Sequence, residues 1–145
     1  MKGLLETAKT EEFTSANFYR QLAEGRLMAS RCKACESLYL PPRPLCPRCL
    51  SADMAWVQMR GMGKLAAFTA ISVAPSAMVR EGFDRTNPYC SGVVELEEGA
   101  RISARILGVD AKQPESIAIG KALVLEVLRD TAGKAQPVVA FRPEG

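Results

Sequence analysis

Two short cysteine pairs constrain this chain more than any other feature. Cys32-Lys33-Ala34-Cys35 and Cys46-Pro47-Arg48-Cys49 are separated by ten residues. Two CxxC knuckles offer four soft thiolates that can close a tetrahedron around one metal ion, zinc first and iron second. All four ligand positions are protein sulfur, so no position is left for water or substrate. A closed site of that kind is structural rather than catalytic. The alternatives are two redox pairs or a disulfide framework. Against the latter, Met1 to Lys9 lacks the apolar stretch of a secretory leader. The expectation is a cytoplasmic chain whose cysteines remain thiolates in a reducing compartment.

Composition narrows the function classes. With 145 residues the chain suits one ordinary domain or two small units. No apolar run approaches the roughly 20 residues of a membrane span, so no membrane association is expected. The formal charge is +3, and a divalent ion held by four thiolates brings it to about +1. The basic excess lies in residues 1–60, with nine Lys/Arg against six Asp/Glu, while residues 61–145 carry ten of each. That is a poor electrostatic footprint for nucleic acid. Histidine is absent, which removes the commonest general base and every Ser-His or Cys-His nucleophile pair. Asp, Glu, Lys and Tyr remain available, but the chain is expected not to be an enzyme on its own.

The pattern predicts a mainly β protein in three parts: an N-terminal helical segment (1–25), a rubredoxin-like zinc ribbon (26–53) and a C-terminal five-stranded OB-fold barrel (54–145). In the first part Thr14 or Ser15 can cap a helix, Phe18 and Leu22 share one face, and Gly25 can end it. In the second, residues 26–31 read as a strand entering the first knuckle and Ser37 to Leu40 as its hairpin mate. Pro41-Pro42-Arg43-Pro44 then forms a stiff arm to the second knuckle. In the third, strands are expected at 54–60, 64–73, 89–96, 101–107, 121–128 and 136–141, with turns at 97–100 and 130–134. Ile102, Ala104 and Ile106 alternate with Arg101, Ser103 and Arg105. Residues 75–88 and 108–120 read as long connections, and Pro114 limits any helix in the second to a turn or two. Five strands from Lys64 onward suit an OB barrel, with an open five-stranded sandwich as the alternative.

Several stretches carry a resemblance. They are Leu22-Ala23-Glu24-Gly25-Arg26-Leu27, Arg31-Cys32-Lys33-Ala34-Cys35 and Pro41-Pro42-Arg43-Pro44-Leu45-Cys46-Pro47-Arg48-Cys49. Further along come Trp56 ahead of a Gly-x-Gly, Asn87-Pro88-Tyr89, Val94-Glu95-Leu96-Glu97-Glu98-Gly99, Gly108-Val109-Asp110 and Pro137-Val138-Val139-Ala140-Phe141-Arg142-Pro143. Over nearly its whole length the chain resembles acyl-CoA-associated proteins that join an N-terminal helix, a rubredoxin-like zinc ribbon and a C-terminal OB-fold. These were long catalogued as a domain of unknown function. The resemblance implies a small non-catalytic subunit found with thiolase-like enzymes, which binds or channels acyl-CoA or supports a condensing, thiolytic or aldolase/hydratase complex. Glu36 departs from the pattern, because glycine often follows the first knuckle of zinc ribbons, and this bears on that knuckle's turn.

The candidate metal ligands are Cys32, Cys35, Cys46 and Cys49, with zinc as the cofactor. The candidate acyl-CoA contacts are Arg43, Arg101, Arg105 and Tyr89. Arg43 follows a rigid Pro-Pro and is presented to a CoA phosphate or an acidic partner, or is simply solvated. Arg101 and Arg105 share a strand face about 7 Å apart, a spacing that suits phosphates or a solvated sheet face. Tyr89 ends the first long loop with Phe83, Asn87 and Pro88, in a place where small barrels often bind ligands or cover their own mouth. Lys33 and Arg48 read as charge balance for the thiolates, Trp56 as a filler of the ribbon-barrel junction, Cys90 as a core residue, and Arg129 as a bland charge near a turn.

Two function classes follow. One is the accessory subunit, whose partners would be a thiolase-like enzyme and acyl-CoA, with self-association into a homo-oligomer left open. The other is a nucleic-acid-binding ribbon/OB module. Only Phe68, Phe83, Tyr89 and Phe141 are aromatic after residue 60, which disfavours the second. An independent hydrolase finds no catalytic constellation.

Overall fold

The computed structural model describes residues 12–129 and 136–144. The first eleven residues and the whole of the turn expected at 130–134 lie outside the described residues. The chain divides into two compact units. One runs to Arg60 and takes in Glu98–Ala100, Arg129, Gln136 and Pro137; the other holds Gly61–Glu97, Arg101–Leu128 and the chain from Val138.

In the first unit, helix α1 spans Ser15–Ala23. Thr14 is its N-cap, with Oγ1 accepting from the Asn17 amide at 3.1 Å. At the other end Gly25 adopts φ 87°. The amides of Gly25 and Arg26 reach back to the carbonyls of Leu22 (2.8 Å) and Gln21 (3.0 Å), the Schellman arrangement that a left-handed residue permits. Phe18 and Leu22 are buried, as their shared face predicts. Glu24 pairs with both Arg20 and Arg26.

Three strands follow: β1 (Met28–Cys32), β2 (Leu38–Tyr39) and β3 (Met54–Gln58). They form one antiparallel sheet in the order β2-β1-β3. Met28 to Cys32 pair with Gln58 to Met54 along the full length of β3. The strand expected at 54–60 therefore completes the ribbon sheet, and the break between units falls after Arg60 instead of after residue 53. Around the knuckles the apolar cluster is Cys32, Cys46 and Met54, with Phe13, Cys35 and Tyr39 packed on it. All three buried members of that cluster carry sulfur, the composition of a unit that needs a metal to stay folded. Trp56 stacks on Phe13 with centroids 4.7 Å apart.

The second unit is a closed five-stranded barrel in the order β4-β5-β6-β8-β7. Its strands are β4 (Met62–Ile71), β5 (Tyr89–Leu96), β6 (Arg101–Ile106), β7 (Ala122–Leu128) and β8 (Val138–Pro143). Closure removes the open-sandwich alternative. The start of β4 differs from the expected residue 64: the strand begins within the Gly61-Met62-Gly63 stretch. Met62 to Lys64 pair with Val124 to Ala122 on one side, while Gly63 to Ile71 pair with β5 on the other, with a register shift between Leu65 and Ala67. A Cβ on Gly63 would run into the backbone carbonyl of Glu95, so only glycine lets β4 cross β5 this closely. β6 and β8 are parallel neighbours, Arg105 opposite Ala140 and Ile106 opposite Phe141. Ile102, Ala104 and Ile106 point inward with Leu65, Val94 and the fully buried Phe141. Cys90 is 2% exposed, a core residue.

The first long connection is more ordered than its composition predicts. Helix α2 (Ser76–Arg80) sits within it. After it, Asp84 Oδ1 accepts from the Thr86 hydroxyl (2.7 Å), the Thr86 amide (2.8 Å) and the Asn87 amide (3.0 Å). These bonds, the Thr86 hydroxyl first, hold the Asp84 carboxyl below its usual range. The second connection contains one 3-10 turn at Pro114–Ser116, as Pro114 allows.

Candidate metal centre

The four knuckle cysteines converge in the first unit, with their sulfurs all within 4.8 Å of one another. Cys32 and Cys49 sulfurs are 3.5 Å apart, and those of Cys35 and Cys46 3.6 Å. All four are free thiols. Sulfurs at about 2.3 Å from a tetrahedral zinc lie about 3.8 Å apart. The cluster matches that spacing and is far from the about 2.05 Å of a disulfide.

The two knuckles repeat one backbone design. Cys32 donates its amide to the Ser37 carbonyl (2.9 Å) and accepts from the Glu36 amide (2.8 Å); Cys46 does the same with Ser51 (2.9 Å) and Leu50 (2.8 Å). Each turn closes through a left-handed residue, Glu36 at φ 64° and Leu50 at φ 63°. The absence of glycine at position 36 therefore leaves the turn unaltered; the side chain accepts an unfavourable backbone instead.

Two hydroxyls from the hairpin mate face the sulfurs. Tyr39 Oη lies 3.2 Å from Cys46 Sγ, and Ser37 Oγ 3.3 Å from Cys35 Sγ. The Tyr39 hydrogen bond is the main reason the Cys46 thiol is lowered to about 6. Ser37 lowers Cys35 in the same way. At Cys49 the Ser51 amide favours the thiolate, but contact with Cys32, burial and the other thiols outweigh it and push the group up to about 12. Without a cation the four sulfurs cannot all ionise so close together, and a divalent ion removes that conflict. The donor set thus fits a zinc or iron ion. Neither hydroxyl stands out in the sequence as a site residue. Their signal is a hydroxyl two and four residues beyond the second cysteine of a knuckle.

The charges near the knuckles divide. Lys33 meets the Asp53 carboxylate at 3.5 Å, so its charge is shared with a carboxylate. Arg48 and Arg43 are exposed, with no carboxylate partner among the described residues. The Arg43 amide donates to the buried Ser30 hydroxyl at 2.8 Å, which fixes the proline arm on β1.

The other candidates lie in the barrel unit. Arg101 and Arg105 share the outward face of β6, as their spacing predicts, but have different surroundings. Arg101 pairs with Glu95 at 3.7 Å. Arg105 is largely buried, 3.3 Å from Glu81 and 3.0 Å from Met78 Sδ, with its guanidinium 5.8 Å from the Phe83 ring centre. Tyr89 meets the same ring edge-on at 5.4 Å. The structure therefore brings Arg105 and Tyr89 together through Phe83 and leaves Arg101 outside that group. An open cleft of about 620 Å³ at one end of the barrel is walled by residues that include Lys64, Glu95, Glu97 and Glu144. Its charge is mainly negative, the wrong sign for a phosphorylated ligand.

Residues 20–55 match the family described as the ChsH2 rubredoxin-like zinc ribbon domain, and residues 56–127 the ChsH2 C-terminal OB-fold domain. A DUF35 domain-containing scaffold protein of Methanocaldococcus jannaschii is 38% identical over 95 residues, 65% of this chain and 62% of that protein. A protein of the same description from Pyrococcus furiosus is 33% identical over 106 residues, 72% of this chain and 71% of that protein. A probable enoyl-CoA hydratase alpha subunit of Thermomonospora curvata is 33% identical over 129 residues, 89% of this chain and 37% of that subunit. The chain thus spans less than two thirds of the first and third of these relatives. Among solved structures, a chain of the "Ltp2-ChsH2(DUF35) aldolase" superposes with a TM-score of 0.71 at 32% identity, covering 88% of this chain and 92% of that one. A DUF35 protein of unknown function from Sulfolobus solfataricus shares the fold, with a TM-score of 0.57 at 16% identity.

Proposed function

Because this chain belongs to the DUF35 family of zinc-ribbon and OB-fold proteins, we propose that it is a non-catalytic accessory subunit of an acyl-CoA-processing enzyme. It scaffolds a thiolase-like partner of the condensing, thiolytic or aldolase/hydratase type and contributes to holding the acyl-CoA. The observation that carries this reading is the likeness to the DUF35 chain of an aldolase over nearly the full length of both chains. The scaffold description of the archaeal relatives points the same way.

Each part has a physical role in this reading. Cys32, Cys35, Cys46 and Cys49 hold one structural zinc, which fixes the geometry of the ribbon and takes no part in turnover. Arg43, Arg101, Arg105 and Tyr89 are the proposed CoA contacts. The carboxylates now beside Arg101 and Arg105 do not preclude this. Glu95 and Glu81 are half-exposed, and such surface pairs contribute about 1 kcal/mol or less, so a phosphate can displace them. The chain works in the cytoplasm on this reading. Among the described residues no helix is long and apolar enough to cross a membrane.

The test is co-expression of the full chain with the Ltp2-type aldolase subunit of its own source organism. The expected outcome is a complex that survives size-exclusion chromatography, with acyl-CoA turnover only when the aldolase subunit is present. Turnover of acyl-CoA by the purified chain alone, or elution of the two proteins apart, overturns the reading.

A further inference from the structure

The two knuckles share a backbone and differ in what they display. The first is rimmed by Lys33, Glu36 and Asp53, a solvated set containing an ion pair. The second carries Leu45 at 47% exposure and Leu50 at 71%, beside the exposed Pro44 and Pro47. No acidic residue occurs from Ser37 to Ala52, while Arg43 and Arg48 do. The metal does not require this difference, since both turns make the same hydrogen bonds.

Leu50 is the sharpest case. Its φ of 63° is a conformation that suits glycine, and a leucine there is strained. Its side chain regains nothing by burial in this chain, being the most exposed leucine of the molecule's described residues. A residue that is both strained and solvent-facing stabilises nothing within its own fold. Exposed apolar side chains grouped on one rigid turn mark an interaction surface. The turn is held on its inner side by the cysteine cluster and by the hydrogen bonds of Cys46 with Ser51 and Leu50, and the Arg43 amide is anchored to Ser30.

Building on the accessory-subunit reading, we infer that the second knuckle, Leu45 to Leu50 flanked by Arg43 and Arg48, is the face that docks on the enzyme subunit. Its occupant is an apolar hollow on that subunit rimmed by carboxylates. Charge selects this partner. A face with two arginines and no acid is matched by acidic groups, and its apolar centre by a hollow that buries leucine.

The backbone supplies a discriminating experiment. Leu50→Gly removes the exposed side chain and relieves the left-handed strain, so the ribbon keeps its zinc and its melting temperature does not fall. Glu36→Gly makes the same backbone change in the other knuckle. Each variant is co-expressed with the Ltp2-type aldolase subunit from the source organism, and the dissociation constant is measured by titration. Leu50→Gly is expected to weaken association at least tenfold, the scale of one buried leucine, and Arg48→Glu by a similar factor that shrinks as salt rises. Glu36→Gly is expected to bind as the natural chain does. Equal affinity for Leu50→Gly and the natural chain overturns the inference while leaving the accessory-subunit reading intact. Failure of the natural chain to bind overturns both. A natural chain that dimerises, with Leu50→Gly monomeric and enzyme binding unchanged, also overturns it, because a second copy would then be the occupant.

Discussion

Arg129 donates its Nε–H to the carbonyl oxygen of Ala23 at 2.8 Å, from 106 residues further along the chain. That carbonyl lies in the last turn of α1, where intrahelical partners run out, and a cation there also opposes the negative end of the helix dipole. Arg129→Ala is expected to lower stability by about 1 kcal/mol, with faster hydrogen exchange confined to Ser15–Ala23. Unchanged exchange in α1 would show that water replaces the guanidinium. Arg129 is thus no neutral surface charge, and Lys112, an exposed residue of the second connection, is the fitting control for Arg43→Ala in association measurements.

The purified chain is expected to contain one zinc, with Zn–S distances of about 2.3 Å. Structural zinc supplies on the order of 10 kcal/mol to a unit of this kind, whereas the barrel has its own core. Cys32→Ser should therefore remove exchange protection from β1, β2 and β3 and leave β4 to β8 protected. Loss of protection throughout would mean that both units unfold together.

Metal retention should depend on pH in a way set by Tyr39. Its hydroxyl holds the Cys46 thiol down at about 6, so protons compete weakly with the ion for that sulfur. Tyr39→Phe lets the thiol rise, protons compete better, and the midpoint of acid-induced zinc release moves to higher pH by a few tenths of a unit. A chromophoric chelator followed across a pH series measures it; an unmoved or lowered midpoint contradicts the role given to the hydroxyl.

Gly63→Ala is expected to destabilise the barrel by about 2 kcal/mol. The obstruction is backbone, the Glu95 carbonyl and the Leu96 Cα 3.0 Å from the added carbon, so rotation of a side chain cannot relieve it. Chemical denaturation followed by barrel-specific hydrogen exchange tests this.

Single-stranded DNA or RNA should not bind at physiological salt. Of the four aromatics after residue 60, Phe141 is fully buried, and Phe83 and Tyr89 pack on each other. That leaves too little for a stacking platform. Salt-sensitive micromolar binding in an anisotropy titration would revive the nucleic-acid reading.

The parts legible in the sequence were those governed by local rules. The knuckle spacing, the Thr14 and Gly25 ends of α1, the alternation of Ile102, Ala104 and Ile106, and the short turn at Pro114 each follow from neighbours in the chain. What escaped was set by distant pairing. Met54–Gln58 reads as a generic strand, and only its register with β1 assigns it to the ribbon. The polar composition of residues 75–88 hides a loop ordered by Asp84 and by the contacts of Arg105, Met78 and Phe83. Tyr39 and Arg129 gained roles because their partners lie 7 and 106 positions away.

The barrel's ladders differ in length around the ring. β4, β5 and β6 pair over most of their residues, as do β7 and β8. The two groups meet along shorter ladders, where Met62–Lys64 face Ala122–Val124 and where Arg105 and Ile106 face Ala140 and Phe141, each extended by a few flanking backbone hydrogen bonds. The ring is therefore a three-stranded meander and a two-stranded ribbon joined along two narrow seams. Thermal breathing should begin at those seams, and the first partly opened state should be one in which the β7–β8 pair swings away as a unit with its own hydrogen bonds intact.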